Sequence, residues 1–294
     1  MPTIHTPVPV VPLRDGTGIP QIGFGTLRVQ PSRDASQANI DVTAEVVGLA
    51  LQAGYRHIDT AQSYGTERGV GQAIAASGIP RDQLYVTSKL ANSNHAPDDV
   101  RRSFDETMAG LGLDQLDLFL VHWPLPTLYD GDYVSTWKAV AGLAAEGRLR
   151  TAGVSNFQPA HLDRIIAETG ITPAVNQVEL HPYFTNRAVR AATTRHGIAI
   201  EAHSPLGHNG KPLTDQTITG IAAARGKTPA QVILRWHIQH GTIVIPKSAR
   251  PERMAENLAM LDFELTAEEI AAVDALDRGE IGRAGPNPDT YEGV

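Results

Sequence analysis

The sequence predicts a single (β/α)₈ TIM barrel over residues 1–294, with an N-terminal β-hairpin, extra helices near the C-terminus and a C-terminal loop. Eight short apolar runs alternate with segments in which apolar residues recur at a spacing near 3.6. Glycines that end helices recur before the next apolar run. No linker-like stretch separates the alternating units, so we expect one domain rather than two.

The elements follow in chain order. A hairpin is predicted at residues 8–22, because short apolar runs flank the turn-forming segment Arg14-Asp15-Gly16-Thr17-Gly18. Barrel strands are predicted at residues 22–26, 57–60, 85–90, 116–122, 151–155, 174–180, 199–203 and 242–246. Helices are predicted between them, for example at 98–111, 160–168 and 187–196, with extra helices at 220–225, 229–239 and 266–276. The Gly-, Pro- and Asp-rich tail from residue 282 predicts an irregular loop.

The composition and net charge exclude several classes of function. The net charge of −7 argues against a nucleic-acid partner, and an anionic ligand would need its own local cluster of cations. The absence of cysteine excludes disulfides, thiolate metal sites and a cysteine nucleophile. Residues 1–7 lack the features of a signal peptide, and no apolar run approaches the ~18 residues of a membrane span. We therefore expect a cytoplasmic protein with no membrane partner.

Four polar residues stand at or just after the ends of consecutive predicted strands: Asp59, Tyr64, Lys89 and His122. The active site of a TIM barrel lies at this end of the strands. Lys89 occupies a position where apolar alternation predicts a side chain that fills the barrel. A buried lysine is costly unless it is paired, and Asp59 on the neighbouring strand is the natural partner.

These residue types suit the protonation of an oxygen atom. A tyrosine is a weak acid near neutral pH, with an ordinary pKa of about 10. A nearby ammonium group favours the phenolate and lowers that pKa, while Asp59 keeps Lys89 charged and in place. His122 is suited to orient a carbonyl oxygen or to share the proton transfer.

Several motifs in this order resemble the aldo-keto reductase family. They are His57-Ile58-Asp59-Thr60-Ala61-Gln62-Ser63-Tyr64-Gly65-Thr66-Glu67, Leu120-Val121-His122-Trp123-Pro124, Gly153-Val154-Ser155-Asn156-Phe157, Asn176-Gln177 and Ile245-Pro246-Lys247-Ser248. The resemblance implies a catalytic tetrad in which Tyr64 is the general acid, Lys89 and Asp59 tune it and His122 orients the substrate. It also implies NADPH as cofactor and a small-molecule carbonyl as substrate.

The resemblance assigns cofactor contacts to further residues. Ser155, Asn156 and Gln177 are expected to hold the nicotinamide, with Asp59, Thr26, Leu27, His203, Ser204 and Leu206 also at the cofactor. Residues 247–257 form the cation cluster that the acidic chain requires, at a predicted helix N-terminus suited to phosphate. Lys247 and Arg253 match the family's ligands for the 2′-phosphate, assisted by Ser248 and Arg250. Glu256 and Asn257 match positions that contact adenine.

The sequence departs from the family pattern at two places near the expected site. His203 stands where many members have an aromatic residue that stacks on the nicotinamide, and Leu27 stands where some carry a tryptophan. Leu27 and Trp123 are expected to line the substrate pocket, which Leu27 would widen. The loops and tail resemble the bacterial branch that includes 2,5-diketo-D-gluconic acid reductases. The family is often monomeric, and we expect a monomer here.

Other functional classes fit less well. Gly69-Val70-Gly71 lacks the third glycine of a dinucleotide-binding motif, and no glycine stands at the spacing before Gly226-Lys227-Thr228 that a P-loop needs. No Gly-x-Ser-x-Gly hydrolase motif occurs. No His-Glu-x-x-His zinc motif occurs either, and His237 and His240 are predicted to lie on an exposed helix face. The remaining alternative is a non-catalytic, redox-sensing protein on the same fold.

Overall fold

The N-terminal hairpin is confirmed in the computed structural model, which describes residues 7–293. Strands β1 (Val10–Pro12) and β2 (Gly18–Pro20) pair in antiparallel fashion. Leu13 and Ile19 of the hairpin are buried in a cluster with apolar side chains from the barrel strands, including Leu118 and Ile243. The hairpin therefore closes the end of the barrel at which the strands begin. The prediction that residues 1–7 are not a signal peptide concerns a segment of which only Pro7 lies within the described residues.

The predicted barrel is also confirmed. The eight barrel strands are β3 (Phe24–Gly25), β4 (His57–Asp59), β5 (Tyr85–Leu90), β6 (Leu116–Val121), β7 (Leu149–Ser155), β8 (Val175–Glu179), β9 (Ala199–His203) and β10 (Ile243–Val244). Each strand pairs in parallel with the next along the chain. A parallel bridge between Ile22 and Val244 joins the first strand to the last and closes the barrel. The first and last strands are shorter than predicted, because only two residues of each lie in the regular ladder.

Helices surround the barrel on its outer face. Within residues 7–293 they are α1 (Gln37–Ala53), α2 (Glu67–Ser77), α3 (Pro97–Leu111), α4 (Tyr133–Ala145), α5 (Pro159–Thr169), α6 (Arg187–His196), α7 (Gln216–Arg225), α8 (Pro229–Gln239), α9 (Pro251–Leu258) and α10 (Ala267–Asp274). Their apolar faces pack against the outward-facing side chains of the strands in one continuous core. No helix in the described part of the chain is long and apolar enough to cross a membrane.

The extra helices occur where the sequence predicts them. Helices α7 and α8 lie between β9 and β10, and α10 follows α9 near the C-terminus. Helix α7 begins four residues earlier than predicted, because the Asp215 side chain accepts a hydrogen bond from the Thr217 N–H and caps it. After a short 3₁₀ turn at Gly279–Gly282, the described part of the tail has no helix or strand.

One predicted placement is wrong. His237 does not lie on an exposed face of α8: it has no exposed surface, and its Nε2 atom lies 3.1 Å from the carbonyl oxygen of Pro205. His240 is half-buried beside Asp274, with 3.0 Å between Nε2 and Oδ1. The helix is covered on this side by the β9–α7 connection and by α10, which the periodicity of α8 alone does not reveal.

Candidate active site

Lys89 and Asp59 form a buried ion pair at the end of the barrel where the strands finish. The Nζ atom of Lys89 donates to Oδ1 of Asp59 at 2.6 Å and to the carbonyl oxygen of Thr60 at 2.9 Å. The two side chains are 0% and 2% exposed. Burial by itself lowers the pKa of Lys89, but the surrounding acidic groups, Asp59 foremost, together raise it by more, so the pKa lies above its ordinary value. The lysine is therefore a permanent cation inside the barrel.

Tyr64 lies beside this pair in a 3₁₀ turn, Gln62–Tyr64, directly after β4. The Lys89 Nζ atom is 4.9 Å from the centroid of the Tyr64 ring. Gly65, with φ of 73°, completes the turn, and a Cβ atom there would collide with the backbone oxygen of Arg33. The turn therefore holds the phenol over the ion pair.

The protonation state of Tyr64 reflects two opposing effects. Burial raises the pKa of the phenol, and the Lys89 ammonium group lowers it, as the sequence predicts for the cation. Burial outweighs the cation, so the net pKa lies above its ordinary value, which the sequence does not predict. Tyr64 is thus fully protonated at neutral pH, and the cation beside it stabilises the phenolate that forms when the proton leaves.

His122 is the first residue after β6. Its ring meets the Tyr64 ring edge-on, with 5.7 Å between centroids. Burial and the Lys89 cation lower the pKa of His122 well below its ordinary value. The imidazole is therefore neutral, and it is suited to donate a hydrogen bond to an oxygen atom rather than to act as a cation.

The three residues predicted to hold the nicotinamide lie together beside the tetrad. The Ser155 hydroxyl donates to the Gln177 carbonyl oxygen at 2.8 Å. The Asn156 amide nitrogen donates to the carbonyl oxygen of His122 at 3.0 Å, and Asn156 has a left-handed backbone, with φ of 63°. The Gln177 Nε2 atom donates to Oδ2 of Asp59 at 2.8 Å. Gln177 therefore links this group directly to the buried ion pair.

His203 and Ser204 complete this side of the site at the end of β9. The Nε2 atom of His203 lies 3.0 Å from the amide oxygen of Asn156, which only accepts, so that nitrogen carries the hydrogen. Burial lowers the pKa of His203 to about 4. Ser204 has φ of 51°, and its hydroxyl lies 3.2 Å from Nε2 of His208. Leu206 is half-buried and packs against the outer core.

The predicted cation cluster lies at the start of α9, directly after β10. Lys247, Arg250 and Arg253 are exposed, and the buried Ser248 hydroxyl accepts a hydrogen bond from the Arg250 N–H at 3.0 Å. Burial of part of the Lys247 side chain and the nearby Arg28 lower the pKa of Lys247. Exposed cations at the positive end of a helix dipole suit a phosphate group.

Glu256 and Asn257, predicted at the adenine, lie on the same helix. The Oε1 atom of Glu256 accepts from the Thr228 hydroxyl at 2.6 Å, which leaves Oε2 for any ligand contact. Asn257 is buried. Arg28, which follows Thr26 and Leu27, is a further cation beside Lys247 that the sequence reasoning missed. Its position just after the first barrel strand could have identified it, because that end of the strands carries the site.

The comparisons with known proteins agree with this geometry. The model of the Aldo/keto reductase family matches residues 21–278. The chain belongs to the aldo/keto reductase family. It is 49% identical over 283 residues to an aldo-keto reductase of Mycolicibacterium smegmatis, in an alignment that covers 96% of this chain and 98% of the relative.

Two further relatives bear on the activity of this aldo/keto reductase. It is 42% identical to methylglyoxal reductase DkgA of Salmonella typhimurium, and the alignment covers 97% of this chain and 98% of that protein. The chain also resembles the crystal structure of a Gox0644 mutant in complex with NADPH. The two share 41% sequence identity, the TM-score is 0.90, and the match covers 98% of this chain and 100% of that one.

The mouth of the reductase barrel is covered by the C-terminal tail. The Tyr291 ring packs on Trp123 with 4.3 Å between ring centroids, and the Asn92 amide donates to the Gly293 carbonyl oxygen at 2.5 Å. Leu27, the other residue predicted to line the substrate pocket, is exposed. The sequence predicts an irregular loop here but does not single out Tyr291, because its place over Trp123 depends on the path of that loop.

The tail is anchored by Glu179 at the end of β8. The backbone N–H groups of Ala284 and Gly285 each donate to its carboxylate at 2.8 Å, and His181 Nε2 lies 3.1 Å from it. Burial by itself raises the pKa of Glu179, but the hydrogen bonds from His181, Ala284 and Gly285 lower it to about 2. The carboxylate is therefore ionised and holds the tail in place.

A second buried carboxyl group that sequence reasoning missed is Glu201 on β9. It is completely buried, and its Oε2 atom accepts from Gln177 Nε2 at 3.0 Å. Its signal was the one that identified Lys89, namely a charged residue where the alternation of a barrel strand predicts a filling side chain. Among residues 7–293, no cluster of three or more His, Asp or Glu side chains is arranged to hold a metal ion.

Proposed function

We propose that this chain catalyses the NADPH-dependent reduction of aldehydes or ketones to alcohols. The observation that carries the proposal is the buried Lys89–Asp59 pair, with its 2.6 Å contact, beneath the ring of Tyr64. Burial of a charged lysine costs free energy of folding, and such buried charges are common at functional sites, where they act on a neighbouring group. Here the neighbouring group is a protonated phenol, which is a proton donor.

The residues present fit NADPH as the cofactor. Lys247, Arg253 and Arg250, with Ser248 at the same helix start, form an exposed cationic cradle suited to the 2′-phosphate. Polar side chains on neighbouring strands, Ser155, Asn156 and Gln177, suit a carboxamide. The bound cofactor supplies a hydride to the substrate carbon.

The chain's own residues handle the proton. The neutral His122 imidazole donates a hydrogen bond that orients the substrate carbonyl oxygen beside Tyr64. As the carbon–oxygen double bond gains the hydride, the Tyr64 phenol transfers its proton to the oxygen, and the product is an alcohol. Lys89 stabilises the phenolate left behind, and Asp59 keeps Lys89 in place and charged. Solvent then returns the proton to Tyr64.

Small dicarbonyls and keto-sugars are the first substrates to test. The relative from Salmonella typhimurium is named a methylglyoxal reductase, and the Trp123–Tyr291 pair gives the mouth of the barrel a partly apolar wall. The test follows the loss of NADPH absorbance with methylglyoxal, a diketone, an aryl aldehyde and an open-chain sugar, and repeats it with NADH. NADPH-selective turnover supports the proposal. NADPH binding without turnover on any of them favours the redox-sensing alternative instead.

We also propose that residues 1–294 fold as one unit and act as a cytoplasmic monomer. A single continuous hydrophobic core around the closed barrel supports one folding unit. The proposed use of NADPH, and a sequence without cysteine, suit a reducing compartment. Light scattering after gel filtration tests the monomer, and a single two-state urea transition tests the single unit.

A further inference from the structure

Glu201 lies inside the barrel, next to the buried ion pair but outside the proposed proton transfer. Its partner in the sheet register on β8 is Gln177, and on β10 it is Ile243. The side chain has no exposed surface. A carboxyl group in this position needs either a countercharge or a proton, because an unpaired buried carboxylate is strongly disfavoured.

The Gln177 amide group bridges two carboxyl groups. Its Nε2 atom donates to Oδ2 of Asp59 at 2.8 Å and to Oε2 of Glu201 at 3.0 Å. Both N–H groups of the amide are thereby used. The amide orientation is set, since its oxygen cannot face the ionised Asp59, and the oxygen remains available to accept a hydrogen bond from a ligand.

The other oxygen of Glu201 faces His57 on β4. The Oε1 atom has no hydrogen-bond partner among the described residues and lies 3.7 Å from Nε2 of His57. The Nδ1 atom of His57 lies 3.4 Å from the carbonyl oxygen of Pro20, which only accepts, so the hydrogen is on Nδ1. Burial lowers the pKa of His57 to about 3, so its Nε2 atom carries no hydrogen and accepts from the Thr87 hydroxyl, 3.1 Å away. His57 therefore offers no N–H to Oε1 of Glu201, and an ionised carboxylate would keep this oxygen buried without a donor.

We propose that Glu201 is a positioning residue for the reduction: as a neutral acid it holds the Gln177 amide between two carboxyl groups and leaves Lys89 paired with a single carboxylate. The proposal rests on the proposed function, because it takes Gln177 as a cofactor contact. Burial and the charge of Asp59 raise the pKa of Glu201 to about 8, in agreement with the neutral form at pH 7.

Loss of this proton changes the charge around Lys89. The groups that face Glu201 are Asp59 and His57 from β4, Lys89 and Tyr85 from β5, and the uncharged Gln177 from β8. Burial keeps His57 neutral and raises the pKa of Tyr85, so Asp59 and Lys89 are the only charges among them. Ionised Glu201 adds a second negative charge beside one cation. It weakens the ability of Lys89 to stabilise the Tyr64 phenolate, and kcat falls at alkaline pH.

Two substitutions separate the hydrogen bond from the charge. Glu201→Gln keeps the oxygen that accepts from Gln177 and the size of the side chain, but it cannot ionise. Glu201→Leu removes both the hydrogen-bond acceptor and the ionisable group. We expect wild-type kcat to fall with a midpoint near pH 8, as set by the pKa of Glu201, and this alkaline limb to be absent from Glu201→Gln. We expect Glu201→Leu to weaken NADPH binding by about tenfold at pH 7, the size of one lost hydrogen bond to an amide, and Glu201→Gln to restore most of it.

The proton itself is observable in the protein alone. An infrared pH titration should show a buried, protonated carboxyl band at pH 7 that disappears above pH 8 in the wild type and is absent from Glu201→Gln at pH 7. Asp117→Asn, which alters a buried carboxylate bonded to Arg81 and the Val86 N–H, is the matched control and should leave that band unchanged.

The outcomes separate this proposal from the function on which it rests. The same alkaline limb in Glu201→Gln as in the wild type, a carboxyl band that persists in Glu201→Gln, or unaltered NADPH affinity in Glu201→Leu would overturn the role of Glu201. Absence of carbonyl turnover in the wild type would overturn the proposed function instead, while the infrared titration still reports on Glu201.

Discussion

The ammonium nitrogen of Lys89 lies 4.9 Å from the centre of the Tyr64 ring. Lys89 comes from the third barrel strand, and Tyr64 comes from the turn that follows the second. The relationship places a fixed positive charge beside a phenol that burial keeps protonated. The site therefore holds a proton donor whose conjugate base is stabilised in advance.

Replacement of Lys89 by Met should damage activity and stability together. The Tyr64 phenolate loses its stabilising charge, so we expect kcat to fall by about 10²–10⁴. The Asp59 carboxylate is left buried without its partner, at a cost of roughly 3–5 kcal/mol in the free energy of unfolding measured in urea. The double variant Lys89→Met, Asp59→Asn should recover part of that stability and none of the activity. Recovery of activity in the double variant would contradict the role of Lys89.

Replacement of Arg253 by Ala should discriminate between the two nicotinamide cofactors. Loss of a charge-assisted hydrogen bond to the 2′-phosphate is expected to raise the KM for NADPH by about 10–100-fold and to leave the KM for NADH nearly unchanged. Arg225→Ala, at an exposed arginine paired with Glu269 on another helix, is the control. Equal effects of Arg253→Ala on both cofactors would remove Arg253 from the phosphate site.

Replacement of Glu179 by Gln should loosen the C-terminal tail. The amide offers one oxygen where the carboxylate accepts from both Ala284 and Gly285. We expect faster proteolysis of the tail, altered Trp123 fluorescence as Tyr291 leaves it, and a higher substrate KM. Glu280→Gln, at a surface carboxylate paired with Arg283, is the control. A tail that resists protease equally in both variants would show that Glu179 is not the anchor.

The tail anchor should also depend on pH. The pKa of Glu179 is about 2 in the folded chain, below its ordinary value of 4.5. A carboxyl group with a lowered pKa stabilises the fold above its unfolded pKa, and this stabilisation is lost as the pH falls from about 4.5 toward 2. Proteolysis of the tail with an acid protease should accelerate across that window in the wild type, with little pH dependence in Glu179→Gln.

The contribution of Glu201 to stability should have the opposite pH dependence to that of Glu179. Its pKa of about 8 lies above the ordinary value of 4.5, so its contribution to stability is complete below pH 4.5 and is lost as the pH rises toward 8. The Tm of Glu201→Gln relative to wild type should therefore rise with pH across this range and level off above it. A difference in Tm that stays constant from pH 5 to 9 would show that Glu201 does not titrate there.

Much of the fold followed from local patterns. Strand β6 is apolar except for Asp117, and the helix–glycine–strand alternation repeats around the barrel. Lys89 was found because it stands on β5 at a position where apolar alternation predicts a side chain that fills the barrel. These signals are local, and the closure of the barrel then brings Asp59, Tyr64, Lys89 and His122 to one end of it.

The features that the sequence did not reveal depend on distant contacts. Tyr291 meets Trp123 only through the path of an irregular tail. The net pKa shift of Tyr64 depends on how deeply the phenol is buried, which its neighbours in sequence do not specify. Glu201 matters because β8 places Gln177 between it and Asp59, and His237 is buried because other segments cover its helix.

The most direct test of the central claim is single-turnover oxidation of NADPH by Tyr64→Phe, with a substrate that the wild type reduces. Tyr133→Phe, at a tyrosine packed beside Phe157 and His161 and outside the tetrad, is the matched control. The account predicts that Tyr64→Phe binds NADPH with nearly wild-type affinity and loses the chemical step by about 10²–10⁴, while Tyr133→Phe retains it. Wild-type rates of NADPH oxidation in Tyr64→Phe would contradict the assignment of Tyr64 as the proton donor.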